Sequence, residues 1–184
     1  MGNVVITSFI TLDGVIESPE KWSFDYQSED TGAYNQKVLF AADVMLLGRI
    51  TYEGFAEAWP GREDEAGFAE KMNGMRKVVV STTLESPEWN NTTVASGDLA
   101  ETVATLKAET DGDILVWGSA TLAQALIERD LVDAYELLAN PVIAGGGKSL
   151  YGQDGTKRAL RRADATVLSG GMTALRLEPV HDAA

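Results

Sequence analysis

The sequence predicts an α/β fold: a mixed, mostly parallel central sheet in a three-layer α/β/α arrangement, ending in an antiparallel C-terminal hairpin. Three observations predict it. Apolar, β-branched runs alternate with helix-patterned segments up to about residue 130, and such alternation implies parallel pairing with helices on both faces. Beyond residue 130 the chain is mostly strand-like, and its last two runs face each other across Ser169-Gly170-Gly171. No Pro/Gly-rich linker divides the chain, so residues 1–184 read as a single domain.

Residues 3–10 (NVVITSFI) form a buried strand, and Thr11-Leu12-Asp13-Gly14 turns the chain. Residues 15–28, with Pro19 and Trp22, are a long ordered loop of the kind that carries function. Tyr34, Val38, Ala41 and Ala42 lie at helical spacing over 30–42. Val44–Leu47 is a strand stopped by Gly48, and helices follow over 50–58 and 63–73, the latter with Phe68 and Met72 on one face. Lys77–Val80 is a strand ending in Ser81-Thr82-Thr83. Asp98 and Glu101 have capping-box spacing for a helix to about 109. Asp113–Trp117 is a strand closed by Gly118, and Ser119 N-caps a helix through Glu128 with Leu122, Ala125 and Leu126 inward. Residues 132–140 form a strand, Pro141–Gly147 a turn, and 163–168 with 172–178 the hairpin.

Composition narrows the function classes. The 15 Lys and Arg against 28 Asp and Glu give a net charge of −13, which repels nucleic acids and anionic membranes, and no basic patch offsets it. The basic run Lys157, Arg158, Arg161, Arg162 reads as a solvated rim. The chain has no cysteine, which excludes disulfides and thiolate chemistry. Its one histidine, His181, sits in the last turns of the chain, which argues against triad catalysis and histidine-bound zinc; no metal is expected. No apolar run approaches ~20 residues and the N-terminus shows no leader pattern, so the cytoplasm is the expected location. Asn91-Thr92-Thr93 fits a glycosylation sequon without a secretion context.

Three strands end alike: in Gly48-Arg49-Ile50-Thr51, in Ser81-Thr82, and in Gly118-Ser119-Ala120-Thr121. Ligands of open α/β sheets bind beyond the carboxyl ends of strands. Glycine allows close backbone approach, helix starts present N–H groups to an anion, and hydroxyls and Arg49 add donors. Together they describe a groove for a phosphorylated, nucleotide-like ligand. Gly145-Gly146-Gly147-Lys148-Ser149 lacks the earlier glycine of a P-loop and reads as a turn, and no G-x-G-x-x-G follows the first strand.

The same segments carry a family resemblance. Thr11–Ile16 (TLDGVI), Leu46–Glu53 (LLGRITYE), Lys77–Leu84 (KVVVSTTL), Asp113–Leu122 (DILVWGSATL), Leu131-Val132-Asp133 and Pro141–Leu150 (PVIAGGGKSL) follow, in order and spacing, the motifs of the dihydrofolate reductase-like family. The chain resembles a stand-alone relative of the reductase domain of the bifunctional riboflavin-biosynthesis deaminase–reductase. The resemblance implies an NADPH-dependent reductase acting on a C=O or C=N group of a small molecule, and a homodimer. It implies Gly48, Arg49 and Thr51 at the cofactor phosphates, Ser81 and Thr82 at the adenosine 2′-phosphate, and Gly118, Ser119, Ala120, Thr121 and Leu122 at the pyrophosphate. Asp13, Gly14, Trp22, Tyr52 and Trp59 would wall the substrate side, with Asp13, Asp30 or a water as proton donor. Dihydrofolate reductase activity and a non-catalytic nucleotide- or flavin-binding role are the alternatives. Strand 132–140, apolar on both faces through Tyr135, Leu137 and Leu138, gives a separate reason to expect a covering partner.

Overall fold

The computed structural model describes residues 1–152 and 154–180; His181 lies outside the described residues. Among them, β1 (Val4–Ile10), β2 (Ala42–Gly48), β3 (Arg76–Val80), β4 (Thr92–Ala95), β5 (Asp113–Trp117), β6 (Ala134–Ala139), β7 (Leu160–Val167) and β8 (Thr173–Pro179) make one sheet. Its order is β4-β3-β2-β5-β1-β6-β8-β7. The first six strands pair in parallel, whereas β8 runs antiparallel to both β6 and β7. This is the mixed sheet with a terminal hairpin that the alternation predicts.

Helices α1 (Glu29–Phe40), α2 (Arg49–Ala58), α3 (Phe68–Gly74), α4 (Leu99–Glu109) and α5 (Ala120–Glu128) supply the outer layers. Strand side chains alternate between faces. Val4, Ile6, Leu46, Ile114 and Val116 therefore meet Val103 and Leu106 of α4 and Leu122 and Leu126 of α5. The opposite set, Val5, Met45, Leu47 and Leu115, meets Leu39 of α1, Tyr52 of α2 and Met72 of α3.

Several boundaries differ from the sequence reading. Residues 63–67 are not helical: Asp64 accepts hydrogen bonds from Phe68 N and Ala69 N at 2.9 and 2.6 Å, and Gly67 sits at φ 72°, so α3 starts at Phe68. Strand β4 has only four residues and no periodicity to announce it. Asp98 caps α4 by accepting from Ala100 N and Glu101 N, worth about 1 kcal/mol. Ala123 and Ile127, rather than Ala125, join Leu122 and Leu126 in the buried face of α5. Strand β6 lies inside the sheet, between β1 and β8, with Tyr135 and Leu137 in one core and Leu138 in another. The free edge on this side is β7, which begins at Leu160 and bulges between Arg162 and Asp164.

Buried Lys77 is unusual. Its side chain is fully enclosed, its Nζ donates to the carbonyls of Asn73, Met75 and Asn90 at 2.9, 2.9 and 3.2 Å, and it lies 4.2 Å from the centre of the Trp89 ring. It holds the end of α3 to the entry of β4. Burial lowers its pKa to about 8.

Candidate functional site

The carboxyl ends of β1, β2, β3 and β5 open onto one groove of about 700 Å³. Gly48, Arg49 and Thr51 line it from the β2–α2 junction, and Ser81 and Thr82 from the end of β3. Gly118, Ser119, Ala120, Thr121 and Leu122 line it from the β5–α5 junction. The fold thus brings the three similar strand endings together.

The two helix starts are locked to each other. Ser119 occupies the N-cap position of α5, but its hydroxyl does not cap that helix; it accepts from Gly48 N at 3.1 Å. Gly118 and Ser119 are both left-handed, at φ 63° and 55°. For a residue with a Cβ this conformation costs roughly 1–3 kcal/mol and persists where its surroundings fix it. Here the Gly48 contact and the Ala123 N–H donating to Ser119 O at 2.8 Å do so. Neither α2 nor α5 has a side-chain cap, so the leading N–H groups of both helices are left to other acceptors. A Cβ at Gly118 would meet only Thr51 Cγ2, at 3.9 Å, and otherwise fill open groove.

Arg49 is exposed and makes a two-pronged pair with Glu53, with Nη1 at 2.8 and 3.0 Å from the two carboxylate oxygens. Such a surface i,i+4 pair contributes about 0.3–0.5 kcal/mol, little enough for a phosphate to displace Glu53. Ser81 Oγ accepts from Thr83 N and Leu84 N at 3.1 and 3.0 Å, which turns the chain after β3 and leaves exposed Thr82 with the freer hydroxyl. Ile50, Phe55, Val80, Leu99 and Trp117 give the groove apolar walls.

The five residues expected on the substrate side are not among those lining the groove. Tyr52 is buried beneath α2, where its hydroxyl accepts from Trp89 N at 3.0 Å. Trp59 stacks on Phe68 with ring centres 5.5 Å apart. Gly14, at φ 84°, closes the turn after β1, its carbonyl accepting from Leu150 N at 2.9 Å. Trp22 donates its indole N–H to Glu17 O at 3.1 Å, bracing the loop from behind. Asp13 accepts from Thr11 Oγ1 at 2.6 Å and from Ala144 N and Gly145 N at 3.0 and 2.8 Å, so it clamps the 141–147 turn. Those hydrogen bonds, Thr11's foremost, hold its pKa down at about 2. Asp30 accepts from the Ser28 hydroxyl and from Ser169 N and Oγ, joining α1 to the hairpin turn, and these contacts hold it at about 2 as well. Both carboxylates are ionised and taken up by loop contacts at neutral pH.

The groove's remaining wall includes the first part of the 15–28 loop expected to carry function, although through Ile16–Pro19 rather than Trp22, and Lys148 from a segment read only as a turn. It comprises Ser8 and Phe9 of β1, Ile16–Pro19, and Lys148. Residues 14–17 and 148–150 run antiparallel: Ile16 N and Glu17 N donate to Lys148 O at 3.0 and 3.3 Å, and Val15 bridges Ser149. The glycine-rich turn therefore folds back to the groove and carries Lys148 there.

A three-layer α/β chain with an anion-suited groove across its strand ends and an antiparallel terminal hairpin has a dihydrofolate reductase-like architecture. The family model described as the RibD C-terminal domain matches residues 3–174, and the chain belongs to that family. The uncharacterized protein YyaP of Bacillus subtilis strain 168 is 26% identical over 172 residues, covering 92% of this chain and 90% of YyaP. Among solved structures, a protein of Shewanella sp. PV-4 whose name refers to riboflavin biosynthesis superposes with a TM-score of 0.78 at 19% identity, covering 98% of this chain and 100% of that one. RibD of Acinetobacter baumannii gives 0.71 at 18% identity; the match covers 98% of this chain and 58% of RibD. At these identities the two structures speak for the fold.

Proposed function

We propose that the protein is an NADPH-dependent reductase that delivers a hydride to a C=O or C=N carbon of a small heterocyclic or sugar-derived substrate, in the manner of a 5-amino-6-(5-phosphoribosylamino)uracil reductase. The observation that carries this reading is the convergence of three strand endings on one groove, with two uncapped helix starts and a glycine whose missing side chain keeps the groove open. Membership of the RibD C-terminal domain family supports the reductase class.

The residues present suit NADPH. The leading N–H groups of α5, over Ala120–Leu122, and of α2, just after Gly48, would hold the pyrophosphate, with Gly118 leaving room for it. Arg49 and the Thr82 hydroxyl would take the adenosine 2′-phosphate, a charge-assisted contact that NADH cannot make. When bound, reduced nicotinamide supplies the hydride. The chain's task is to hold the ring and the acceptor carbon together and exclude water. Apolar Phe9 and Ile16 and the braced Glu17–Pro19 segment suit that task. Because Asp13 and Asp30 are ionised and held in loops, the proton would come from a water in the groove.

A homodimer belongs to the same proposal. On the face of the hairpin opposite α1, Val167, Ala165 and Leu160 stand opposite Thr173, Leu175 and Pro179, with Arg162 opposite Leu177, and Val167 is 80% exposed. Light scattering should give twice the 19.7 kDa chain mass; a monomer mass at every micromolar concentration would refute it. The test of the activity is loss of reduced-nicotinamide absorbance when the protein, NADPH and the phosphoribosylamino-uracil or dihydrofolate are mixed. Turnover of the uracil supports the reading, turnover of dihydrofolate alone replaces it with the folate alternative, and NADPH binding without turnover of any C=O or C=N compound overturns the enzyme assignment.

A further inference from the structure

The groove divides by chemistry. Glycines, uncapped helix starts and hydroxyls gather at the ends of β2, β3 and β5, while the far wall holds Ser8, Phe9, Ile16, Glu17 and Lys148. Among the described residues, three charged side chains line the groove: Glu17, Arg49 and Lys148. Arg49 is closed onto Glu53 at the cofactor half. Lys148 stands at the other half, and its Nζ reaches Glu17 Oε1 only at 4.0 Å, with the two side chains 57% and 44% exposed.

The backbone beneath this loose pair is fixed. Lys148 N donates to Glu17 Oε2 at 3.2 Å, and Lys148 O accepts from Ile16 and Glu17. Next to it, Gly147 has φ 120°, and a Cβ there would lie 2.9 Å from Val15 Cγ1. Asp13 pins the same turn through Ala144 and Gly145. A hydrogen-bonded base thus holds an exposed ammonium at the groove wall, with a carboxylate beside it that an incoming anion can replace. On a chain of net charge −13, an anionic substrate needs such a local cation to enter.

We propose that Lys148 is a specificity residue that selects substrates carrying an anionic oxygen, carboxylate or phosphate, with Glu17 as its exchangeable counter-ion in the free protein. The inference rests on the reading of the β2–β3–β5 half as the cofactor's. It makes the substrate a small anion, and it gives the glycine-rich turn a purpose beyond joining β6 to β7.

The test is calorimetric titration of the NADPH-loaded protein with two matched pairs: uracil against orotate, and uridine against uridine 5′-monophosphate. The anionic member of at least one pair should bind roughly tenfold or more tightly than its neutral partner, as expected of a charge-assisted contact. The pair that shows it distinguishes carboxylate from phosphate. Lys148→Gln should abolish the preference without altering NADPH affinity, Lys148→Arg should retain it, and Glu17→Gln should strengthen it. The preference should also weaken with added salt. No preference in the wild type, binding of none of the four probes, a preference that survives Lys148→Gln, or a parallel fall in NADPH affinity would each overturn the assignment. Failure to load NADPH, seen before any probe is added, is the separate failure of the cofactor reading; the same titrations on the unloaded protein then decide the Lys148 assignment.

Discussion

Gly118→Ala separates what the β5–α5 junction does for folding from what it does for binding. Alanine at φ 63° carries the left-handed penalty of roughly 1–2 kcal/mol. The added methyl meets nothing closer than Thr51 Cγ2 at 3.9 Å, so no steric cost follows. For a chain of this length the loss corresponds to a fall in Tm of roughly 2–8 °C. The same methyl stands where the backbone would approach a phosphate. Losing one charge-assisted hydrogen bond there is worth ~1.5–3 kcal/mol, or roughly 10- to 100-fold in affinity. Thermal unfolding followed by circular dichroism, together with NADPH titration of the same preparation, reads both numbers. A folded variant that binds NADPH within about twofold of wild type would refute the placement of phosphate beside Gly118.

Two further substitutions probe other parts of the account. Arg49→Ala should weaken NADPH roughly 10- to 100-fold while changing stability by less than about 0.5 kcal/mol, because only an exposed pair with Glu53 is lost; NADPH titration and urea unfolding check it, and unchanged affinity removes Arg49 from the phosphate site. Lys77→Met tests the buried ammonium: since burial lowers the folded pKa to about 8 from 10.5, the folded state binds fewer protons than the unfolded state between those values. Wild type should therefore gain stability relative to Lys77→Met as pH rises through that window. Urea unfolding of both proteins at its two ends measures the difference, and a constant gap would show that Lys77 keeps an ordinary pKa in the fold.

Much of the sheet was legible because its signals are local. Val44–Leu47 and Ile114–Val116 are unbroken apolar runs that each stop near a glycine, and both are central strands. Strand β4 escaped because four residues after an Asn-Asn turn carry no period, and that turn, with Asn91 at φ 56°, is tied to the end of α3 by the Asn91 side chain donating to Gly74 O at 2.7 Å, a partner far off in sequence. The groove residues at Gly48, Ser81 and Gly118 were legible for the same reason as the strands they end. Tyr52 was misplaced by helix geometry. It follows Arg49 by one turn, yet α2 directs it into the core beneath while Ile50, Thr51 and Phe55 face the groove. Of the far wall only the 15–28 loop was legible, and the partners that fix it were not, because the pairings are distant in sequence: Asp13 with Gly145 across 132 residues and Glu17 with Lys148 across 131; the same holds for Asp30 with Ser169, across 139, at the hairpin turn. Aspartates that look like free acids in a one-dimensional reading become loop clamps once those partners arrive.

The central claim is that the three converging strand ends form a site for NADPH. Equilibrium titration of the purified protein with NADPH and, in parallel, NADH, followed by energy transfer from Trp117 in the groove wall, tests it most directly. The account predicts saturable binding of both, with NADPH favoured roughly tenfold or more through the 2′-phosphate contact of Arg49 and Thr82. Equal affinity for the two would contradict the assignment of that contact, and no saturable binding of either would contradict the claim itself.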